Sequence, residues 1–468
     1  MPESLDVRVY KVQKYDRPKP YYLRWKVGGK AFGKAYKYQA QADTQRSKLL
    51  TAARAGEPFD TETGEPVSWA RTETEAQLTW YEFALSYLDM KWPHVAPNTR
   101  TGIAEALAVL TMALTEDKPG RPKADVLRAA LYGWAFNATA RQKDPGGAAR
   151  TALQWLEAAS VPLRSLQKAA TARLGLEAIS RKMDGKGAKA ATFTRKRATF
   201  YNALEYAVEL ELLDFNPLER VKWTLPKKDE TVDPRVAANP AQVRQMLAEV
   251  SKLRPEFAAF FACLYFAALR PAEAVSLTKE QCHLPVKGWG RLDLAETATR
   301  AGRAWTDSGE AHDVRGLKHR AAGDMRPVPI PPELVKVLRQ HLDDHGTAAD
   351  GRLFRGKRSE GYLSESTYGP IWKRARRIAL TEAKASTKLA ERPYDLRHGG
   401  VSLWLNSGVP ATEVARRAGH SVEVLLRVYA KCIDGQHEAL NQRIEDALTE
   451  PDVSKSAEGR PAGEYGGA

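Results

Sequence analysis

The sequence predicts a multidomain, mainly α chain with a small N-terminal β-sheet-plus-helix module, an all-α middle domain and a mixed α/β C-terminal domain. Three observations predict it. A length of 468 residues exceeds one typical domain and has room for two to four cores. Hydrophobic spacing changes from strand-like alternation near the N-terminus to helical periodicity from Trp80 onward. Polar stretches rich in proline and charge punctuate the chain at 59–72 and 216–240.

In order, "VRVYKVQKY", "YYLRWKV" and "AFGKAYKY" alternate as three short strands, with "GGK" as a turn between the last two. "QADTQRSKLLTAARAG" fits a helix closed by Gly56, so the N-terminal module spans 1–65. The plain alternative, a solubilising tail, is disfavoured by the density of aromatics. Residues 59–72 read as a polar linker. The middle domain, 73–225, is helical in stretches such as "TWYEFALSYLDMKW" and "FYNALEYAVELELL". A linker at 226–239 leads to Asn239 and Pro240, the N-cap and first position of a new helix. The last domain, 240–449, is mostly helical with strand-like patches at "WGRLDL" and "MRPVPIP", and 450–468 reads as a disordered tail.

A net charge of +15 points to a polyanionic partner, nucleic acid first. From Arg8 to Arg54 there are thirteen Lys or Arg against Asp16 and Asp43, so most of the surplus lies in the N-terminal module. Lys30, Lys34 and Lys37 are candidate DNA contacts there. Arg195, Lys196 and Arg197 at a helix opening are further candidates, with a solvated charge run equally plausible. Three cysteines, Cys263, Cys282 and Cys432, without CxxC or zinc spacing disfavour disulfide frameworks and zinc fingers, and predict a reducing compartment. "MPESLDVRVYKVQKYD" carries no signal-like apolar run and no stretch reaches membrane-span length, so the expectation is a soluble, cytoplasmic protein without a membrane partner.

Several charged positions could carry chemistry. "FAAFFACLYFAALRPAEAVSL" is an apolar helix that delivers Arg270 before Pro271; its partner is either Glu273 or a carbonyl, or else a ligand phosphate. "GLKHRAAGDMRPVPIP" looks like two strands joined by a Gly-containing turn, with Lys318 at the start of the turn. In "RPYDLRHGGVSLWLNSG", Pro393 opens a helix, Tyr394 and Arg397 share a face, and Gly399 and Gly400 allow close backbone approach. "SGVPATEVARRAGHSVEVLLRVYAKC" reads as helix, tight turn at Gly419 and second helix, which is a helix-turn-helix pattern.

The ordered set of Arg270, Lys318, Arg397, His420 and Tyr429 resembles the catalytic signature of the tyrosine recombinases, the phage-integrase family. The stretches are "AALRPAEAVSL", "GLKHRAAGDMRPVPIP", "YDLRHGG", "RRAGHS" and "LLRVYAKC". Arg397 to His420 is 23 positions and His420 to Tyr429 is nine, as that pattern expects. The match covers roughly 240–432; more loosely, the basic sheet and the helical domain look like the arm-type and core-binding domains of integrases from actinobacterial phages and integrative elements.

The resemblance implies that Tyr429 is the nucleophile of a 3′-phosphotyrosine intermediate, that Arg270, Arg397 and His420 bind the phosphate, and that Lys318 protonates the leaving 5′-oxygen. Glu273 and His398 are supporting residues. No metal and no cofactor are implied. One position departs: the family's usual histidine three residues before the second arginine is Tyr394 here, a phosphate-binding phenol rather than a ready base. Expected partners are double-stranded attachment-site DNA in the bacterial nucleoid, a homotetramer, and an excisionase or DNA-bending protein; the apolar stripe Leu440, Ile444 and Leu448 fits either packing within the chain or, by the resemblance, a helix passed to a neighbouring protomer. The rivals are a non-enzymatic helix-turn-helix regulator and a type IB topoisomerase.

Overall fold

The computed structural model describes residues 3–69, 78–182, 184–224, 231–317, 323–356, 361–432 and 437–448. The chain divides into two compact units between Lys227 and Lys228. No described helix is long and apolar enough to cross a membrane.

The first unit begins with a basic sheet. Strands β1 (Val7–Val9) and β2 (Gln13–Lys14) pair antiparallel with the same side of β3 (Tyr21–Val27), and β4 (Lys30–Tyr36) pairs with its other side. The expected first strand is therefore present but broken, with Tyr10 N–H still bonded to Arg24 O. Leu23, Trp25 and Val27 are buried with Leu49 and Ala52 of helix α1 (Gln39–Arg54), and Gly56 at φ +72° follows that helix as expected. The stretch expected to be a linker is partly core. Phe59 is fully buried in this cluster, Phe59–Asp60 pairs with Glu3–Ser4, and Gly64 O accepts from the Trp25 indole. The burial of Phe59 and the packing of Trp69 outweigh the polar composition around them.

Helices α2 (Trp80–Lys91), α3 (Pro97–Ala113), α4 (Ala124–Ala130), α5 (Gly147–Ala159), α6 (Ala169–Ser180) and α7 (Ala190–Glu209) follow. α2 starts at a capping box between Thr79 and Glu82. Trp80, Phe83, Phe200 and Tyr206 pack in aromatic contact between α2 and α7.

The second unit opens with α8 (Pro240–Leu253), capped by Asn239 and Gln242 as the sequence predicts. Residues 231–238, expected to be linker, belong to this unit. Val232 N–H bonds Val428 O at 2.7 Å, Ala390 N–H bonds Val236 O, and Val232, Val236 and Ala238 are buried. The apolar helix α9 (Ala258–Phe266) ends earlier than expected. Ala268 turns to φ +47°, and Pro271 keeps Arg270 extended as the N-cap of α10 (Pro271–Ser276).

β5 (Gly290–Leu294) pairs with β8 (Arg326–Ile330), and β6 (Glu296–Arg300) pairs with β7 (His312–Gly316). The two strands expected to pair with each other around Lys318 are thus β7 and β8, each bonded instead to the β5–β6 ribbon. Lys318 lies outside the described residues, as does the expected tail. Helices α11 (Pro332–His345), α12 (Glu365–Ala379), α13 (Pro393–Asn406), α14 (Ala411–Ala418), α15 (Val422–Tyr429) and α16 (His437–Leu448) complete the unit. α13 packs into α9 because two glycines permit it: a methyl on Gly400 would strike the Tyr265 carbonyl, and one on Gly399 would lie 3.0 Å from Ala238 O.

Candidate active site

Four turns of chain meet at the centre of the second unit. Arg270 comes from the N-cap of α10, Arg326 from the start of β8, Arg397 from the second turn of α13, and His420 from the turn that closes α14. Gly419 makes that turn at φ +65°, where it caps α14, and His420 N–H closes back on Ala415 O at 3.0 Å. This leaves the last carbonyls of α14 as acceptors. Gly419 O takes a hydrogen bond from Arg270 Nη2 at 2.9 Å, and Ala418 O takes one from Arg397 Nη2 at 2.6 Å. The turn of the helix-turn-helix pattern is therefore filled by arginines. That arrangement gathers a charge cluster at the turn and does not favour a regulator.

Glu273 sits beneath the arginines, 1 % exposed. Its Oε1 accepts from Arg270 Nη1 at 2.8 Å and its Oε2 from the Arg270 backbone N–H at 2.8 Å. Arg326 Nη2 is 2.9 Å from Oε2, and Arg397 Nη1 is 4.0 Å away. Burial would push the Glu273 carboxyl up, but Arg326, Arg397 and Arg270 together hold it at about 2. One carboxylate thus faces three guanidiniums, a surplus of two positive charges at the centre of the unit. Arg326 Nε and Arg397 Nε have no hydrogen-bond partner in the structure, and Arg326 Nη2 meets Glu273 out of hydrogen-bond alignment. Such a site suits an anion.

Arg397 is fully buried, and its Nη2 lies 2.6 Å from His420 Nε2. Burial, with Arg397 and Arg270 close by, lowers the His420 pKa to about 3, so its imidazole is neutral at pH 7. With Nε2 accepting from Arg397, the proton resides on Nδ1, which is left to donate. Tyr429 ends α15, 1 % exposed, with its ring 6.3 Å from that of His420. Burial raises the Tyr429 pKa, and Arg397 opposes it only partly. Its hydroxyl lies 2.9 Å from His398 Nδ1. Tyr394 is half-buried, near enough to Arg270 to help hold its charge, and its ring lies edge-on to His398 at 5.1 Å.

The structure brings together Arg270, Glu273, Tyr394, Arg397, His398, His420 and Tyr429. Sequence reasoning missed Arg326. The signal was present in "MRPVPIP", where an arginine opens a strand whose next inward residues, Val328 and Ile330, are buried, so Arg326 is carried inward on the same face.

The proposed DNA contacts are distributed differently. Arg195 and Lys196 both engage Glu105 of α3, at 2.6 and 3.0 Å, and Lys196 is buried. Arg197 lies over the Tyr201 ring. Lys30, Lys34 and Lys37 are exposed, but register puts Lys30 and Lys34 opposite Val27 and Leu23, on the face those residues bury. The other face of the sheet carries exposed Arg8, Arg24 and Lys26, with Arg8 directly across from Lys26.

A deep arginine cluster beside a buried tyrosine is the arrangement that the resemblance to tyrosine recombinases leads one to expect. Comparison with known proteins agrees. No protein-family model matches the chain. An integrase of Streptomyces ambofaciens is 35% identical over 127 residues, covering 25% of this chain and 32% of that protein. A putative prophage phiRv2 integrase of Mycobacterium tuberculosis is 24% identical over 221 residues, covering 47% of this chain and 52% of that protein. The chain spans about a third and about half the length of these curated relatives. Among solved structures, the Tn1549 transposon integrase bound to transposon right end DNA aligns with a TM-score of 0.53 at 16% identity, covering 80% of this chain and all of that one. The same integrase with a circular intermediate DNA gives 0.51 at 15% identity, over 79% of this chain and all of that one. At this identity the likeness is one of fold. In its ordered motif, in partial sequence matches to named integrases and in fold, the chain is similar to the tyrosine recombinases, the phage-integrase family.

Proposed function

We propose that the protein is a site-specific DNA recombinase that cleaves and rejoins attachment-site DNA through a 3′-phosphotyrosine on Tyr429. The observation that carries this reading is the three-arginine cluster on Glu273 beside the Tyr429 hydroxyl. A phosphodiester carries one negative charge and gains a second as an oxygen nucleophile adds to it, which the surplus of two matches. Arg270 and Arg397 serve the non-bridging oxygens, His420 Nδ1–H adds a donor, and Tyr394 holds the Arg270 side of the phosphate. Tyr429 Oη forms the bond to phosphorus as the 5′-oxygen leaves, and the intermediate keeps the bond energy for resealing to another strand. By the family pattern Lys318 gives the 5′-oxygen its proton. The open basic face of Arg8, Arg24 and Lys26 suits a second DNA segment. Ile444 and Leu448 are exposed on α16, as a helix passed to a neighbouring protomer of a tetramer requires.

The test needs no known attachment site. A library of singly nicked random duplexes is incubated with the full chain in EDTA, and DNA attached through SDS treatment is recovered and sequenced. A defined sequence that forms an adduct with the wild type and none with Tyr429→Phe supports the reading. Its absence favours a regulator. Joining of two selected duplexes separates a recombinase from a type IB topoisomerase.

A further inference from the structure

We propose that His398 is the proton acceptor for Tyr429, a role that rests on the reading of Tyr429 as nucleophile. Tyr394 occupies the position where the family pattern places a histidine, so the phenolic proton of Tyr429 needs another destination.

The geometry supplies one. His398 is the residue after Arg397 on α13, and its Nδ1 lies 2.9 Å from Tyr429 Oη, the atom that attacks. His420 is otherwise engaged, since its Nε2 faces Arg397 at 2.6 Å. Tyr394 offers a hydroxyl that accepts a proton only as a phenol does, with little basicity. For Tyr429 to donate, Nδ1 of His398 must carry a lone pair, so the ring proton sits on Nε2.

Burial foremost holds the His398 pKa at about 4, with Arg397 and Arg392 adding to it and Asp395 opposing, so the ring is neutral before reaction. Asp395, one turn back on the same helix, then stabilises the imidazolium when it forms. The Asp395 carboxylate is fixed by Arg392 N–H at 2.8 Å.

The step balances. As Oη bonds to phosphorus and the bond from phosphorus to the 5′-oxygen breaks, the Oη proton passes to Nδ1, neutral His398 becomes the cation, and the 5′-oxygen leaves as a hydroxyl with the proton assigned above to Lys318. In ligation a 5′-hydroxyl gives its proton back to Lys318 as it bonds to phosphorus, the bond from phosphorus to Oη breaks, and Nδ1 returns its proton to Oη. Neutral histidine is restored after each cycle.

The experiment compares two forms of the duplex selected by wild-type adduct formation, one with the natural 5′-bridging oxygen and one with sulfur there, which leaves without a proton. His398→Asn keeps a polar side chain but cannot take the proton. It is expected to form adduct at least about 100-fold more slowly on both substrates, while binding the intact duplex as wild type does. Lys318→Ala serves as the contrast, slow on oxygen and restored by sulfur. A wild-type rate in His398→Asn overturns the proposal, and so does rescue of that variant by sulfur, which would move His398 to the leaving group. If His398→Asn fails to bind duplex, His398→Gln is read by the same two rates and decides in the same way. Adduct formation by Tyr429→Phe would instead sink the nucleophile assignment, a separate failure.

Discussion

Arg326 Nη2 stands 2.9 Å from Glu273 Oε2, and the two side chains are 2% and 1% exposed. This pair lies deeper than the Arg270–Glu273 pair, whose arginine is 28% exposed. Glu273 is therefore the counter-ion on which all three guanidiniums depend. Glu273→Gln keeps the shape and removes the charge, leaving two buried cations and one part-buried one. Unfolding by urea is expected to show a loss of about 3 to 5 kcal/mol, the usual result of stripping one partner from a buried ionic network. Arg326→Met, which removes a cation and its unpartnered nitrogens together, is expected to cost less.

Gly419 supplies a second prediction. At φ +65° a side chain is strained by about 1 to 2 kcal/mol, and here a methyl would also run into the Arg326 guanidinium and lie 3.3 Å from Arg270 Nη1. Gly419→Ala is expected to abolish adduct formation through displaced arginines while leaving the exposed basic sheet able to bind DNA. Adduct yield against gel-shift affinity reads the two apart.

Much of this site was legible in the sequence because its pieces sit at helix starts and turns, where local rules are strong. Pro393 opens α13, Gly419 closes α14, and the two glycines after His398 give the close approach of α13 to α9. The alternation in "MRPVPIP" puts Arg326 on one face with Val328 and Ile330, but which face is the inward one is fixed by the pairing of β8 with β5, a contact 32 residues apart at Arg326↔Leu294. The segments 59–69 and 231–238 were misread for a related reason. Their polar composition is real, but Phe59 and Val232 are buried by partners distant in the chain. Lys30 and Lys34 show the same limit, since only register tells which face of a strand they share.

The two histidines fix the expected response to acid. His398 and His420 have folded pKa values of about 4 and about 3 against 6.5 for the free side chain, and Glu273 about 2 against 4.5. In each case the unfolded chain takes up a proton that the folded site refuses. Stability is therefore intact above about pH 6.5 and falls as pH drops, first through the histidines and then below about 4.5 through Glu273 as well. Each group adds at most about 1.4 kcal/mol per pH unit within its window. Urea midpoints from pH 7 to 4 check this, and His420→Asn is expected to flatten the slope.

On the N-terminal sheet, register separates two sets of cations. Arg8, Arg24 and Lys26 share the open face, whereas Lys30 and Lys34 sit at the edge of the face packed on α1. Replacing Arg24 or Lys26 with alanine is expected to weaken DNA binding evenly across sequences and to lower the salt slope by about one per lost phosphate contact. Lys34→Ala is expected to change the slope less. Titrations of the full chain on duplex DNA at several salt concentrations measure both.

Tyr394 gives the last prediction. Its hydroxyl lies by Arg270 and its ring edges His398 at 5.1 Å, so the phenol neighbours both Arg270 and the group facing Tyr429. If it only positions phosphate, Tyr394→His retains or raises the rate of adduct formation, because imidazole still donates to a phosphate oxygen and adds a base. Tyr394→Phe loses the hydroxyl and is expected to slow cleavage about tenfold, the effect of roughly one lost hydrogen bond. A second base at 394 also gives the proton of Tyr429 a route that bypasses His398, so the double variant Tyr394→His, His398→Asn is expected to recover part of the rate that His398→Asn loses. Collapse of Tyr394→His with intact DNA binding would instead assign the phenol a task that imidazole cannot perform.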